Sequence, residues 1–362
     1  MSANKDRISS IEILRIISMI MVIAYHWQLH GNHDGIMYSS LSSKQIFTFA
    51  FGSWGSLGVD IFFIISSFFL IRSNDVKLKR LIPIIIKVSL YGTVVLTVAN
   101  LCGITDFKIM ETIKSILGVF AYQYWFLTVY VVIYCLHPMF NIIVEKLSKS
   151  YYLFALSVMM FSTFILGFVF INQFIGRLAC GVTIYFIVGF LERFPESNLL
   201  KRYNYLISVW GGIAIVSLEC LLSYMGMQYS ATFSSMINRI QTTQSPLMAI
   251  VGLGIFYCTL ELNIKQSKTI NFLGKYSAGA YLLHGGSSFI KGYLWDGVFK
   301  VDWYYTNANL AFYVLHYIAC IIGLFIIGVI IEFFVDKTVK HLTDNIMHFK
   351  TIEQLQSAIQ DI

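Results

Sequence analysis

Three ionisable side chains, Glu12, Arg15 and His26, stand in the first apolar stretch of the chain. Glu12 and Arg15 are three residues apart and can pair across one helical turn. Arg15 and His26 are eleven apart. At about 100° per residue they fall within about 20° of one helix face, about 16 Å apart along the axis. That face offers a cation and, towards its far end, an imidazole. Imidazole is the commonest general base near neutral pH, and a guanidinium holds a phosphate or a developing oxyanion. The plain alternative is a packing ion pair with an interfacial histidine. The alignment of the two residues adds weight to the chemical reading.

Other polar groups stand in equally apolar surroundings. Asp60 lies within GVDIFFIISSFF, where a carboxylate needs a hydrogen bond from a neighbouring helix or a functional partner. His284 closes LGKYSAGAYLLH. Arg72, Lys77, Lys79, Arg80 and Lys87 form a dense basic cluster. Its default reading is topology signalling with lipid headgroups, and its sharper reading a site for a polyanion such as a nucleotide. His26, His30 and His33 recur at i, i+4 and i+7, and the first two could ligate a metal. No acidic or cysteine partner is nearby and Gly31-Asn32 should end the helix, so no metal is expected. The six cysteines are scattered without a C-x-x-C pair, and are read as small apolar packing residues.

The elements that must position these groups are membrane helices. Of 362 residues 57% are hydrophobic and only 12% charged, and the mean hydropathy is +0.70. A soluble domain is about half apolar and about a quarter charged. The apolar runs are continuous and long, as about 20 residues per helical span require, not alternating as in barrel strands. Ten spans are expected, at 8–29, 46–72, 81–101, 122–144, 151–171, 175–192, 203–226, 246–262, 270–290 and 309–333. The second is long because Gly52, Gly55 and Gly58 loosen its first half; the fifth and sixth can form one hairpin. The first, interrupted by Arg15 and followed by no A-x-A-like cleavage site, reads as an uncleaved helix.

Charge orients this all-α bundle. With the N-terminus inside, 17 of the 26 Lys and Arg fall in inside segments and 7 outside; Arg15 and Lys87 lie within spans. The bias places both termini in the cytoplasm. A membrane domain over 1–345 and a short cytoplasmic tail over 346–362 are expected. The tail carries Phe349, Ile352, Leu355 and Ile359 at near-helical spacing, suiting either the membrane surface or a solvated helix. The net charge of +7 is thus explained by membrane topology, and no nucleic-acid motif accompanies it.

Read together, these strings resemble the acyltransferase-3 family of bacterial integral membrane acyltransferases. Glu12-Ile13-Leu14-Arg15 resembles its acidic-x-x-Arg opening, and Arg15 with His26 its Arg/Lys-x10-His spacing. Gly58-Val59-Asp60 through Phe69 resembles its second-helix signature, and Lys79, Arg80 and Pro83 its basic stretch and proline. Tyr124-Trp125-Phe126-Leu127, with Tyr130, Tyr134 and Pro138, resembles its Trp-Phe motif, and Leu273-Gly274-Lys275 through His284 its late-helix motif. The matches run in family order over most of the chain. Ser67 stands where a glycine is usual, and Gly285-Gly286 follow His284 where a proline is common. The basic stretch is thinner than usual, and no soluble hydrolase-like domain is appended.

The resemblance implies transfer of an acyl group, often acetyl, from cytoplasmic acyl-CoA to a hydroxyl of a cell-surface or lipid-linked carbohydrate, in a bacterial plasma membrane. His26 would take the hydroxyl proton, directly or through an acyl-histidine. Arg15 would hold a donor phosphate or carbonyl, with Glu12 or Asp60 tuning or orienting. Arg72, Lys79 and Arg80 would bind the nucleotide end of the donor, and Trp125, Tyr130 and His284 would line the acceptor side. A rival class is a transporter or flippase coupling through buried Arg, Asp and His. Paired Gly/Pro-broken helices in two halves are not seen in the sequence, which weighs against it. A purely structural protein leaves the aligned polar groups unexplained.

Overall fold

The computed structural model describes residues 7–31, 42–169, 173–286, 290 and 292–360, and every regular element among them is helical. In chain order these are α1 (Ser9–His30), α2 (Ser43–Gly52), α3 (Gly55–Leu70), α4 (Leu78–Leu101), α5 (Ile109–Leu117) and α6 (Trp125–Lys146). Then come α7 (Lys149–Met160), α8 (Gln173–Arg193), α9 (Asn204–Gln228), α10 (Ala231–Ile240) and α11 (Pro246–Glu261). The chain closes with α12 (Lys268–Tyr276), α13 (Ala278–His284), α14 (Val301–Asn307), α15 (Leu310–Met347) and α16 (Lys350–Gln360), apart from single turns.

Seven helical stretches among the described residues are long and apolar enough to cross a membrane: Ser9–His30, Ser43–Leu70, Leu78–Leu101, Ile109–Lys146, Lys149–Leu166, Asn204–Gln228 and Leu310–Met347. Helix α11 is apolar but shorter. The chain is therefore a multi-pass membrane protein. Its surface agrees: Leu101, Val98, Trp210, Phe312 and Phe334 are more than half exposed along these helices. Lipid accepts such a band where water would penalise it.

The expected second span is present as Ser43–Leu70, interrupted in its glycine-bearing first half. Helices α2 and α3 meet at Ser53-Trp54, and the Ser53 hydroxyl donates to Glu219 Oε2 of α9 at 2.7 Å. Gln241 Nε2 donates to the other Glu219 oxygen at 3.1 Å, so the break brings its own buried partners. The expected ninth span is two short helices, α12 and α13, jointed at Ser277. The tenth runs well past 333: the 38 residues of α15 reach about 57 Å, against about 30 Å of bilayer core.

Two apolar cores sit side by side. One gathers α3, α6, α8 and α11 around Ile61, Ile64, Ile133, Ile184 and Phe256. The other gathers α4, α13 and α15 around Val88, Tyr281, Tyr313 and Leu324. Helix α1 belongs to both, through Ile11 and Leu14 in the first and Ile23 and Trp27 in the second. Gly58 of α3 lets the two backbones approach, since a Cβ there would fall 2.5 Å from the Ser18 carbonyl oxygen. The helix carrying Glu12, Arg15 and His26 is thereby the central one.

Segments that are far apart in sequence meet at one end of the bundle. Ser9 bonds to Gln266 and Asn271, Arg72 pairs with Glu192, and Gln356 reaches the 76–78 backbone. Most of the basic cluster lies here. Among the other sequence readings, Ser67 replaces the usual glycine without strain: it is buried and donates to the Phe63 carbonyl one turn back at 2.7 Å. Gly285 spends its amide on the Tyr281 carbonyl at 2.7 Å, a bond a proline could not make. All six cysteines are free thiols.

Candidate active site

The end of α1 is fixed by aromatic packing. Trp27 is fully buried, and the rings of Tyr313 and Tyr317 of α15 stand edge-on to it at centroid distances of 5.3 and 5.0 Å. Each such pair contributes about 0.5–1.5 kcal/mol beyond area burial. With Trp27 pinned, its neighbour His26 turns towards α13. There His26 Nδ1 lies 2.8 Å from His284 Nε2. His284 is wholly buried, and its Nδ1 lies 2.5 Å from the Ala280 carbonyl oxygen one turn back.

This chain of bonds selects a tautomer. A carbonyl oxygen only accepts, so His284 Nδ1 carries a hydrogen. With both rings neutral, His284 Nε2 then holds a lone pair and accepts from His26 Nδ1–H. The lone pair of His26 is left on Nε2. A proton taken up there makes an imidazolium whose Nδ1–H still points at His284. The pair is thus arranged as a base with an orienting partner. Trp295, edge-on to His284 at 5.9 Å, and Tyr281, edge-on at 6.3 Å, wall the buried ring. Tyr124 donates its hydroxyl to the Leu282 carbonyl at 2.8 Å and tethers α13 to the start of α6.

Towards the other end of α1, Glu12 Oε1 accepts from Arg15 Nη1 at 2.7 Å and from Arg7 Nη1 at 2.8 Å. Two guanidinium groups share one carboxylate, so the site keeps a net positive charge. The Arg15 side chain retains 26% of its surface, enough to meet a ligand. Its guanidinium carbon lies 5.9 Å from the Phe69 ring centroid. Tyr130 lies within electrostatic reach of both Arg15 and Arg80. Gly274 of α12 closes against Glu12: a Cβ there would fall 2.4 Å from Glu12 Oε2. Glu12 is about 21 Å from His26 along α1, so what it orients is Arg15.

The remaining predicted residues are spread. Asp60 is fully buried; the Cys180 sulfur of α8 lies 3.7 Å from its Oδ1 but only 2.9 Å from the Thr243 carbonyl oxygen, and its one S–H serves only one of the two. Arg72 pairs with Glu192 and stacks on Phe68 at 3.7 Å. Lys79 pairs with Asp344 of α15 at 3.0 Å, with both side chains exposed. Trp125 lies under the guanidinium of Arg177, 4.3 Å from its ring centroid. The rings of His26 and His30 are 5.3 Å apart, and His33 lies outside the described residues. Among the described residues no cluster of three His, Cys, Asp or Glu side chains is placed to hold a metal.

Several participants were not read from the sequence. Arg177, Trp295, Glu219 and Glu332 carry no motif that singles them out in the sequence. Lys87 Nζ reaches Glu332 at 2.6 Å and Asp336 at 2.5 Å, and Tyr91 donates to Glu332 at 2.9 Å. Lys275 reaches the same Asp336 at 3.0 Å, tying α4, α12 and α15 together. A carboxylate within an apolar run was the available signal for Glu219 and Glu332.

The whole arrangement falls within a family match. The model of the acyltransferase-3 acyltransferase domain matches residues 8–333. The chain belongs to the acyltransferase-3 family. No curated protein and no solved structure matches it. As a member of the acyltransferase-3 family it is a membrane acyltransferase, which works on an acyl donor and an acceptor. The matched span takes in both histidines, Glu12, Arg15 and the Lys87 network up to Glu332, and leaves Asp336 and the C-terminal helix outside.

Proposed function

We propose that the protein is an O-acyltransferase that moves an acyl group, acetyl foremost, from cytoplasmic acyl-CoA to a hydroxyl of a cell-surface or lipid-linked carbohydrate. The observation that carries this reading is the His26–His284 pair, 2.8 Å apart and held by the Ala280 carbonyl. His26 Nε2 takes the proton of the acceptor hydroxyl as that oxygen attacks the thioester carbonyl. The C–S bond then breaks, and the CoA thiolate leaves with a proton from the imidazolium. The same geometry suits attack by His26 itself, with a transient acyl-imidazole. His284 holds the ring of His26 and spreads its charge.

Arg15 binds the anionic or carbonyl part of the donor, and Glu12 acts by holding Arg15. The gathering of Arg7, Arg72, Lys79, Lys275 and the α15 terminus at one end supports a cytoplasmic assignment for that end and for both termini. There Arg72, Lys79 and Arg80 bind the CoA nucleotide, exchanging the contacts Arg72 and Lys79 now make with Glu192 and Asp344 for phosphate. The pantetheine arm runs beside α1 towards His26. Trp125 and Tyr130 line the acceptor side, and Asp60, fully buried beside Cys180, stands back from both substrates. The reaction joins a donor on one side of the membrane to an acceptor on the other. Mass analysis of surface glycans from cells with and without the protein tests this. Acetyl esters should vanish with the gene and return on complementation; an unchanged glycan mass profile would contradict the acceptor class.

A further inference from the structure

The C-terminal helix α16 lies beyond the family match, yet it is attached to the basic segment. Along it Ile352, Gln356 and Ile359 are half-buried, whereas Phe349 and Leu355 face outward. These three recur at i, i+4 and i+7, so a single face of the helix is docked. Ile359 packs against the core built on α3, α6 and α8. Gln356 makes two bonds to the 76–78 backbone. Its Oε1 accepts from the Leu78 N–H at 2.8 Å, and its Nε2 donates to the Val76 carbonyl at 3.1 Å.

The target of these bonds is the short connection between α3 and α4, which carries Lys77, Lys79 and Arg80. Leu78 is the first residue of α4, where the helix supplies no partner for its N–H. Gln356 provides one from outside. The same connection is held elsewhere by single residues. Asn141 of α6 donates to the Leu70 and Ser73 carbonyls at 3.1 and 2.9 Å, and the Tyr134 hydroxyl accepts from Lys77 N–H at 3.0 Å. Asp344, near the end of α15, holds the Lys79 ammonium at 3.0 Å. The segment is thus pinned from the α6 side by the membrane domain and from the other side by the C-terminal region.

We infer that α16 is a strap that positions the basic segment Lys77–Arg80 for the anionic end of the acyl donor, with Gln356 as its positioning residue. This rests on the reading that the basic segment binds the donor. Gln356 touches no donor atom. It fixes the start of α4, and through it the directions in which Lys79 and Arg80 leave the backbone. A donor with several phosphate charges gains from cations already set in place, because ordering long basic side chains opposes binding.

The test uses the full-length protein purified in detergent, with acetyl-CoA as donor. Gln356→Ala removes both bonds. Gln356→Glu keeps an acceptor for Leu78 and turns a second oxygen on the Val76 carbonyl. Gln354→Ala, on the exposed face of α16, is the control. Gln356→Ala should exchange the Leu78 amide faster, whereas Gln356→Glu, which keeps the acceptor, should exchange it no faster; both variants lose the Val76 bond. They should raise KM for acetyl-CoA by about fivefold, the ratio one net hydrogen bond sets, with kcat within about twofold. Unchanged exchange at Leu78 in Gln356→Ala would overturn the strap. Faster exchange with unchanged KM would overturn the positioning role, and Lys79→Ala with Arg80→Ala then separates the causes. If those two variants raise KM, the donor site stands and only the strap fails. If they do not, the donor-site reading fails with it.

Discussion

His26 and His284 form a pair whose members come from opposite ends of the sequence, and the chemistry depends on the order of their bonds. Because Ala280 accepts from His284, and His284 accepts from His26, the basic lone pair has one position, His26 Nε2. His284→Ala should leave His26 in place but remove the ring that accepts from its Nδ1. Loss of one hydrogen bond to a ring that becomes charged is worth about 1.5–3 kcal/mol, about 10–100-fold in kcat, short of the about 10²–10⁴-fold general-base contribution at risk in His26→Ala. Acetyl transfer by the purified variants measures both, and an equal loss in the two would contradict the division of roles. At the other end of α1, Arg15→Lys should be milder than Arg15→Ala on KM for acetyl-CoA, since the charge survives while the planar fork to Glu12 is lost. Equal effects would mean that the charge itself is not used. Arg15 and His26 were legible because both lie on one helix, where spacing alone fixes the shared face. The His26–His284 contact joins residues 258 apart, and no periodicity reports which helices become neighbours.

Among the elements, α13 bears most directly on the site, because it is short and carries His284. It is held by Tyr124 on one side and by close backbone contact with α15 on the other. A Cβ on Gly328 would fall 2.4 Å from the Ala280 Cα, the residue whose carbonyl holds His284. Gly328→Val should therefore shift α13 and depress kcat while the protein still inserts. Normal membrane yield with normal kcat would show that α13 tolerates the shift. The Lys87 network makes a separate prediction about stability. Lys87→Met leaves Glu332 buried with its cation gone and should cost about 3 kcal/mol in detergent unfolding. Adding Glu332→Gln should recover much of that loss, because the stranded charge goes too. A double variant no better than the single would place the stability elsewhere. The sequence marked Lys87 as intramembrane but could not supply its partners, 245 and 249 residues away. It reads the ninth span as continuous for the same reason, and places the loosening of the second at Gly52, Gly55 and Gly58; the helix is interrupted between the first two. The breaks at Ser53 and Ser277 are tolerated because neighbouring groups, such as Glu219 and Gln241, satisfy their polar atoms.

For the molecule as a whole, composition already dictated a helical membrane protein, since 57% apolar residues in long runs leave no soluble alternative. The basic bias then predicts which end of the bundle is cytoplasmic. What the sequence could not provide is which helices pack around Arg15 and His26. In the structure α1 is shared by both apolar cores, with Arg15 and His26 about 16 Å apart on it. The central claim is that His26 is the base, or the nucleophile, of acyl transfer from CoA. The most direct test is acceptor-dependent release of CoA from acetyl-CoA by purified wild-type and His26→Ala protein in detergent, with glycan extracted from the same cells as acceptor. The wild type should release CoA as acetyl appears on the glycan, and His26→Ala should fall by at least about 100-fold while its fold and donor binding persist. Acetyl transfer by His26→Ala at the wild-type rate would contradict the account.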